Sequence, residues 1–465
     1  MTIPQQQKQI GPFDYIIVGA GSAGCVLANR LSENPRNRVL LLEAGGKDNY
    51  VWIHVPVGYL YCMGNPRTDW GFKTTSEPGL NGRTLNYPRG RVLGGCSSIN
   101  GMIYMRGQAA DYDTWRQNGL QGWGWDDVLP YFKKSEDHYG PADDFHGKGG
   151  EWKVQEQRLS WEILDAFADA CASLGIPKID DFNTGDNFGS GYFKVNQNAG
   201  WRWNTAKAFL RPVSERKNLV VQTKAQVQRI LFSGKRAIGV EYLQHGQLIH
   251  ARCDKETILS SGAIGTPHIL QNSGVGDANH LKTHGIELVH HLPGVGQNLQ
   301  DHLQLRCVYK VRGAKTLNQR AGSLLGKLGI GLEYALTRSG PMSMAPSQLG
   351  VFAKSESFIE HADLEYHVQP LSLEKFGDPL HPFPAFTASV CHLRPDSRGS
   401  VSLASSDHAD APEIAPNYIS TQRDRAIAAK AIQLTRQIAA QEPLSRFHPE
   451  EFRPGKGIVS DADLI

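Results

Sequence analysis

The chain has 465 residues, of which 40% are hydrophobic and 20% are charged, and its formal net charge is +3. This length exceeds that of one ordinary compact domain, and the composition is typical of a globular enzyme and excludes gross disorder. The nearly neutral charge, without a long basic block, argues against nucleic-acid binding.

The sequence also bears on where the protein resides. No run of about eighteen apolar residues predicts a transmembrane helix, and residues 1–9 are too polar for a secretory signal. The seven cysteines are scattered singly, without metal-ligand spacing, which indicates reduced, mostly buried thiols. We therefore expect a cytoplasmic protein.

The first predicted element is a buried strand over residues 15–18, which runs directly into Gly19-x-Gly21-x-x-Gly24. Apolar spacing then predicts a helix over residues 25–31. Gly19 permits the tight turn, Gly21 lets the backbone approach a pyrophosphate, and Gly24 lets helix and strand pack closely. The N–H groups at the helix N-terminus favour an anion. The pattern predicts a dinucleotide site.

A second predicted strand, residues 38–43, ends at Glu43, about twenty positions after the last glycine of the turn. An acidic residue at this distance can accept hydrogen bonds from the ribose hydroxyls of an adenosine. The alternative is a glycine-rich turn between strand and helix with a surface glutamate. The strand–turn–helix–strand context favours the dinucleotide site.

The elements that follow are mixed. Residues 46–110 have little periodicity, which is typical of a functional covering loop. Helical spacing favours helices over 161–174 and 424–440, and β-rich patterns favour strands over 219–232, 237–242, 255–259, 386–392 and 399–403. The strand at 255–259 enters a small-residue turn, Ser260-Ser261-Gly262-Ala263, before a helix over 267–271. This predicts a second close approach of backbone to ligand.

Residues 90–107 and 262–276 contain two further motifs. In the first, Gly94-Gly95-Cys96-Ser97-Ser98-Ile99-Asn100 provides a backbone that can lie against a flat ring and offers many donors. Together with the N-terminal turn, these motifs resemble the glucose–methanol–choline (GMC) family of flavoprotein oxidoreductases, from residue 13 to about residue 418. Cys96 stands where that family usually has Gly, Ser or Thr. Residues 103–107 and 111–113 resemble its bacterial alcohol and choline dehydrogenase branch.

The resemblance implies an α/β fold in which a Rossmann-like FAD-binding domain, residues 1–155 and 215–310, is interleaved with a second domain. That second domain, residues 156–214 and 311–465, is an α+β substrate domain built on an antiparallel sheet. Ile99 stands where some relatives carry a flavin-linked His, so the FAD is expected to be noncovalent. The residues expected to contact FAD are Gly19, Gly21, Ser22, Ala23, Gly24, Glu43, Ala44, Val92, Gly95, Asn100, Gly101, Met102, Ile103, Val227, Gly262 and Ala263.

The reaction that the resemblance implies is oxidation of a primary alcohol to an aldehyde, with hydride transfer to flavin N5. Branch resemblance favours a quinone or an electron-transfer protein over O2 as acceptor, with peripheral contact to the inner face of a membrane. Two alternatives stay open. One is an FAD-containing lyase of the same family, and the other is a truncated, inactive FAD-binding fragment.

The family's catalytic base is a His in a His-x-x-Gly-Thr motif, which is absent up to Ile465. The expectation is that this His lies beyond Ile465, in an incomplete or truncated chain, and that no residue present is catalytic. The candidate substitutes are His54, His268, His302 and His392. Asp301 precedes His302, but adjacency in sequence does not establish a base with its orienting partner. His290-His291 has no third ligand at metal-binding spacing, so no metal site is expected.

Overall fold

The computed structural model describes residues 8–375 and 377–464. The strands, in chain order, are β1 (Lys8–Val18), β2 (Val39–Leu42), β3 (Glu136–His138), β4 (Trp152–Val154), β5 (Gly189–Tyr192), β6 (Gln197–Asn198), β7 (Trp201–Arg202), β8 (Leu219–Gln222), β9 (Ala225–Ser233), β10 (Arg236–Gln244), β11 (Gln247–Leu259), β12 (Val275–Gly276), β13 (His290–His291), β14 (Gln297–Leu299), β15 (Leu305–Lys310), β16 (Leu349–Ala353), β17 (Leu364–Gln369), β18 (Ala385–His392), β19 (Gly399–Ser402), β20 (Glu413–Ala415) and β21 (Glu450–Arg453).

The α-helices, in the same order, are α1 (Ser22–Leu31), α2 (Val51–His54), α3 (Tyr59–Cys62), α4 (Ala109–Gln117), α5 (Trp125–Ser135), α6 (Glu162–Ser173), α7 (Gly262–Asn272), α8 (Ala278–Thr283), α9 (Leu317–Arg320), α10 (Leu324–Thr337), α11 (Gln422–Ala439), α12 (Glu442–Ser445) and α13 (Asp461–Leu464).

The first large sheet is mixed and has six strands in the order β8-β2-β1-β11-β10-β9. Strands β8, β2, β1 and β11 are parallel, and β10 and β9 continue the sheet antiparallel. Every residue of β2 is buried, because parallel strands are normally covered on both faces. Alternation along β1 places Ile16 in the apolar cluster on one face and Ile17 in the cluster on the other.

The second large sheet is antiparallel, with six strands in the order β21-β15-β18-β17-β16-β5. Helices α6 and α11 pack on it and complete the largest apolar core. Phe167 of α6 meets Phe386 of β18 edge-on, with 5.8 Å between ring centroids, and the Tyr366 hydroxyl donates to the Ala431 carbonyl at 3.1 Å. These two sheets confirm the expected α/β fold class.

The chain passes between the two sheets more often than the expected domain limits imply. Strand β15 falls inside the segment 215–310 that was expected to belong to the FAD-binding domain, yet it pairs with β18 and β21 in the antiparallel sheet. Strand β14 pairs with β19 from the other expected domain. The domain limits therefore stay a prediction. Strand β15 lies before the expected limit at residue 310, but it belongs to the antiparallel sheet.

Several predicted elements differ in length from the observed ones; the strand expected over 255–259, for example, is the end of the longer β11. The strand expected over 219–232 is two strands, β8 and β9, because Lys224 between them has φ +54° and breaks the extended run. The helix expected from Pro267 begins at Gly262 and contains Pro267. The preference of proline for the first helical turn therefore predicts a start for this helix that is five residues too late.

The long irregular segment after β2 leaves the sheet and returns to it. Isolated bridges join Gly46 to Val92, Asp69 to Gly90 and Lys73 to Asn86, so its outgoing and returning limbs lie side by side. This path brings the motif at residues 90–100 back to the end of β2.

Helix α10 turns an apolar side to solvent. Its exposed leucines have between 61% and 82% of their surface accessible; they are Leu324, Leu325, Leu328, Leu332 and Leu336. The opposite side is anchored by Tyr334, whose hydroxyl donates to the Gly200 carbonyl at 2.9 Å. Within residues 8–375 and 377–464, no helix has both the length and the apolar character needed to cross a bilayer.

Candidate functional site

The glycine turn after β1 can be built only with glycine at two of its positions. Gly19 has φ +98°, and a Cβ there would lie 2.7 Å from the Ser260 carbonyl oxygen. A Cβ on Gly24 would lie 1.9 Å from the Gly19 carbonyl oxygen. Gly21 differs, because the nearest atom to its Cβ position, the Ser260 oxygen, is 4.0 Å away. Neighbouring backbone atoms therefore leave no room for a side chain at Gly19 or Gly24, whereas the space beside Gly21 is free for a ligand.

Two helix N-termini lie next to each other at this edge of the sheet. Helix α1 begins after β1 and α7 after β11, and these strands are parallel neighbours with Val18 opposite Leu259. Among the described residues, neither helix has a side-chain N-cap or an acidic residue in its first turn. Their N–H groups therefore present partial positive charge to one place, which suits a diphosphate.

Glu43 is buried beside the turn. Its carboxylate accepts hydrogen bonds from the Ala20 N–H at 2.9 Å and the Gly45 N–H at 2.8 Å. Burial raises its pKa to about 7, although these two hydrogen bonds act in the opposite direction. A carboxylate held by backbone donors has a fixed orientation and spare lone pairs, which can accept from ribose hydroxyls. Ala44 follows it, half-buried.

The second motif packs directly on the first. The Gly94 N–H donates to the Ala20 carbonyl at 2.8 Å, and Gly95 has φ +53°. A Cβ on Gly95 would lie 2.7 Å from the Gly21 Cα. Val92 is buried and bridges to Gly46. The predicted contact residues of both motifs therefore share one site.

The run Asn100–Gly101–Met102–Ile103 connects the two halves of the molecule. The Asn100 Oδ1 accepts from the Met102 N–H at 3.0 Å, and Met102 has φ +62°. Ile103 bridges to Val195, just beyond β5. A Cβ on Gly101 would meet the Pro346 ring at 2.7 Å. The run therefore lies between the mixed sheet and the antiparallel sheet.

Arg202 is a site residue that the sequence does not predict, because no local pattern distinguishes it from a surface arginine. Its side chain is fully buried behind Asn100, and its Nη1 donates to Asn100 Oδ1 at 2.9 Å and to the Ser97 carbonyl at 3.1 Å. Across the described residues, its Nε and Nη2 have no hydrogen-bond partner. Burial lowers its pKa to about 10, so the guanidinium stays charged at neutral pH. Such a buried donor suits an electron-rich group at the run 100–103.

Val227 lies near Glu43 because the start of β9 is hydrogen-bonded to the segment around Glu43. The Lys224 N–H donates to the Gly45 carbonyl at 2.7 Å and the Ala225 N–H to the Glu43 carbonyl at 2.8 Å. The pairing of β9 with β10 shifts register beside Val227, which faces Tyr242. A register shift leaves backbone groups outside the regular ladder. This suits the expected backbone contact of Val227 with an adenine.

Of the histidines that could substitute for the family's base, His302 is engaged with the backbone, and His54 and His268 are partly buried. The His302 Nε2 contacts the Leu393 carbonyl oxygen at 3.0 Å, whereas Asp301 accepts a hydrogen bond from the Tyr418 hydroxyl. Asp301 thus binds Tyr418 and does not orient His302. Burial lowers the pKa of His54 and of His268 to about 4, so both are neutral near pH 7.

Comparison with known proteins gives consistent matches. A family model described as GMC oxidoreductase matches residues 13–304, and its C-terminal counterpart matches residues 395–463. Human mitochondrial choline dehydrogenase is 40% identical over 459 residues, which cover 97% of this chain and 77% of that protein. An alcohol dehydrogenase [acceptor] of Pseudomonas putida is 38% identical over 457 residues, with 97% and 83% covered.

A solved structure matches as well. That of pyridoxine 4-oxidase from Mesorbium loti superposes with a TM-score of 0.88 at 30% identity, over 97% of this chain and 85% of that one. The free N–H groups of α1 and α7, the open space at Gly21 and the buried donors of Arg202 all fit a flavin dinucleotide.

Proposed function

The chain belongs to the GMC oxidoreductase family, and on that basis we propose that it oxidises a primary alcohol to an aldehyde with noncovalently bound FAD. Its cofactor is FAD, and its reaction is oxidation at a CH–OH group. One observation carries the cofactor site: in the described chain, two helix N-termini without side-chain caps meet beside buried Glu43, where Gly95 closes against Gly21. The lyase and inactive-fragment alternatives are not favoured by relatives named as dehydrogenases.

The chain's own residues bind and orient the cofactor. When bound, FAD would supply the acceptor for a hydride from the carbinol carbon. We assign the diphosphate to the N–H groups at Ser22, Ala23, Gly262 and Ala263, where the helix dipoles favour negative charge. Glu43 accepts from the ribose hydroxyls. The residues that hold the flavin end are Val92, Gly95, Asn100, Gly101, Met102 and Ile103.

The FAD is expected to be released when the protein unfolds. Ile99 is 2% exposed and packs with Ile53, Cys62 and Val92 in an apolar cluster, so it offers no nucleophile to the flavin. Acid precipitation of the yellow protein should leave all of the colour in the supernatant. Yellow colour that stays with the pellet would contradict noncovalent binding.

The alcohol oxidation is tested by reducing the bound flavin with substrate. Protein reconstituted with FAD is mixed anaerobically with a series of primary alcohols, and the visible absorbance of oxidised flavin is followed while a hydrazine traps the aldehyde. Bleaching with stoichiometric aldehyde is expected, at a low rate because no residue of this chain is assigned as the general base, and heat-unfolded protein with the same FAD is the control. Substrate turnover with unbleached flavin would support a lyase instead.

We propose that the electrons pass to a membrane quinone and that α10 contacts the lipid. Its solvent-facing leucines are Leu324, Leu325, Leu328, Leu332 and Leu336. Lys327 is exposed on the same helix, while Glu333 is paired with Arg320 at 2.8 Å. Exposed apolar side chains beside an exposed cation suit an anionic lipid surface.

Vesicle binding tests this contact. The protein should co-sediment with phosphatidylglycerol vesicles, and Leu328→Ser with Leu332→Ser should weaken partitioning at least tenfold, because each buried Leu contributes about 1.5–3 kcal/mol. Leu288→Ser, at another exposed leucine, is the matched control. If the protein does not bind vesicles but forms a dimer that the double variant dissociates, the partner of α10 is a second copy of the chain.

The proposed acceptor is tested by reoxidation of the reduced flavin. If O2 reoxidises the flavin faster than a soluble quinone does, the proposed acceptor is wrong.

A further inference from the structure

Two buried histidines and an aspartate converge away from the flavin site. His138 ends β3, His146 lies in the loop before β4, and Asp181 lies in the loop after α6. The Asp181 Oδ2 is 3.9 Å from His138 Nε2 and 3.6 Å from His146 Nε2, and all three atoms lie within 4.8 Å of one another. The imidazoles stack with 4.1 Å between ring centroids.

The facing nitrogens are buried without hydrogen bonds. His138 is 7% exposed and His146 is 3% exposed. Neither Nε2 has a hydrogen-bond partner in the part of the chain that the structure describes. The distances to Asp181 are too long for hydrogen bonds. Buried nitrogens of this kind are normally satisfied, so the cluster calls for something between the three side chains.

The outer contacts of His146 hold its ring in place. Its Nδ1 lies 3.3 Å from both oxygens of Glu136, which pairs with Arg106 at 3.0 Å and accepts from the Gly147 N–H at 2.7 Å. Glu136 therefore holds the ring of His146 on its Nδ1 side, and the Nε2 on the other side faces Asp181 at 3.6 Å.

The lysine nearest to the cluster is engaged elsewhere. Lys194 approaches His138 but is paired with Glu156 at 3.3 Å, and its ammonium lies 5.1 Å from the Tyr139 ring centroid. The His138 Nδ1 accepts a long contact of 3.3 Å from the Gly140 N–H. Coordination through Nε2 moves the proton to Nδ1 and ends that contact.

We propose that His138, His146 and Asp181 bind one divalent transition-metal ion, with Zn²⁺ the best match, and a water as the fourth ligand. Tetrahedral Zn²⁺ with bonds of about 2.0–2.1 Å places its ligand atoms roughly 3.3 Å apart. The three atoms, which lie within 4.8 Å of one another, must therefore draw together, and the stacked imidazoles must rotate until both Nε2 atoms point at the ion. Mg²⁺ and Ca²⁺ prefer oxygen ligands. Glu136 behind His146 matches the carboxylate that commonly orients a metal-binding imidazole.

The ion would act as a structural clip near the flavin run. Asn183, two residues after Asp181, accepts the Arg106 N–H at 2.7 Å, and Arg106 follows the run 100–103 in sequence. The site therefore ties the loops around residues 146 and 181 to the segment that leads into the flavin site. Such a clip stabilises the folded state by as much as the ion prefers it over the unfolded chain.

Zinc binding to the FAD-loaded protein tests the proposal. After chelator dialysis, ZnCl2 is titrated calorimetrically and the retained metal is counted by mass spectrometry. We expect one equivalent bound, and affinity at least 100-fold weaker in His146→Gln and Asp181→Asn, with unchanged flavin absorbance and circular dichroism. Asp181→Asn keeps the Oδ1 acceptor of the Asn183 N–H, 2.6 Å away, so it decides the question even where His146→Gln misfolds.

An exposed histidine pair provides the control. His290 and His291 are adjacent and exposed on β13, and His290→Gln with His291→Gln should leave one equivalent of zinc bound. Zinc should also raise the Tm of the parent protein but not that of Asp181→Asn. The proposal is wrong if the parent protein binds no stoichiometric zinc, if Asp181→Asn binds it equally well, or if the control variant abolishes binding.

Discussion

Gly95 lies so close to Gly21 that a methyl group on Gly95 would stand 2.7 Å from the Gly21 Cα. The two residues are far apart in sequence, and the irregular segment between them returns to bridge Gly46 with Val92. This contact joins the dinucleotide turn to the motif that runs on towards Asn100. The site therefore depends on close backbone packing as much as on side chains.

Gly95→Ala should destabilise the protein and weaken FAD binding at least tenfold. The new Cβ would overlap Gly21 at a residue with φ +53°, so the cost combines a steric clash with an unfavourable backbone conformation. A loss on the order of 2–4 kcal/mol in the free energy of unfolding is expected. Chemical denaturation of the apoprotein and fluorescence titration with FAD measure the two effects.

Gly329→Ala is the matched control for that change. Gly329 lies inside α10, and in the described chain no atom lies within 4 Å of its Cβ position. Alanine in a helix interior is more stable than glycine by about 0.5–1 kcal/mol, so this variant should be slightly more stable and should bind FAD normally. Equal losses in both variants would mean that the Gly95 contact has no special importance.

Glu43 should make the stability of the apoprotein fall as pH rises. Burial raises its folded pKa to about 7, above the ordinary 4.5, so the folded state holds the proton more tightly than the unfolded chain. Its contribution is full below pH 4.5 and is lost as pH rises towards 7, by about 3 kcal/mol at most. Denaturation of the apoprotein between pH 5 and 8 should show this slope, and Glu43→Gln should remove it.

FAD affinity should change with pH in the opposite direction. Ribose hydroxyls donate to the carboxylate and favour its ionised form, so affinity should rise up to tenfold per pH unit below about pH 7. Glu241→Gln is the control. Burial acts to raise the pKa of Glu241, but hydrogen bonds from Arg229 and His250 outweigh it and lower the pKa. A slope between pH 5 and 7 that survives Glu43→Gln would assign it to another group.

The sequence predicted the local parts of the site because they follow from short-range physics. The positive φ of Gly19 and the contact of Gly24 with the Gly19 carbonyl arise within one turn, and the burial of residues 16–18 and of β2 follows from their apolar runs. The assignment of individual residues to FAD stays a prediction.

The contacts between segments that are far apart in sequence could not be predicted, because no local pattern encodes them. The irregular limbs that bring Gly95 to Gly21 have no periodicity. Arg202 is fully buried on the short strand β7, with nothing in its neighbourhood that marks a core cation. His138, His146 and Asp181 meet through loops, at spacings that match no metal-binding motif.

Cys96 should be the only thiol that reacts rapidly in the native apoprotein. It is exposed, whereas the other cysteines are buried, and burial raises the pKa of Cys25 and of Cys307 to about 12. Because thiolates are the reactive species, a disulfide reagent should label one equivalent quickly and the rest only after unfolding. FAD should slow the labelling, since Cys96 follows Gly95. Cys96→Ser should abolish the fast phase and retain FAD, and a fast phase that persists would contradict this assignment.

His302→Gln should leave the rate of flavin reduction by alcohol within about threefold of the parent, because its Nε2 is engaged with the Leu393 carbonyl and Asp301 binds Tyr418 instead. Loss of a general base lowers the rate by about 10²–10⁴, so the two roles are easily separated. Anaerobic stopped-flow measurements across a range of pH give both the rate and its titrating group. A hundredfold loss, together with the disappearance of the limb of the pH profile due to the base, would show that His302 is the base after all.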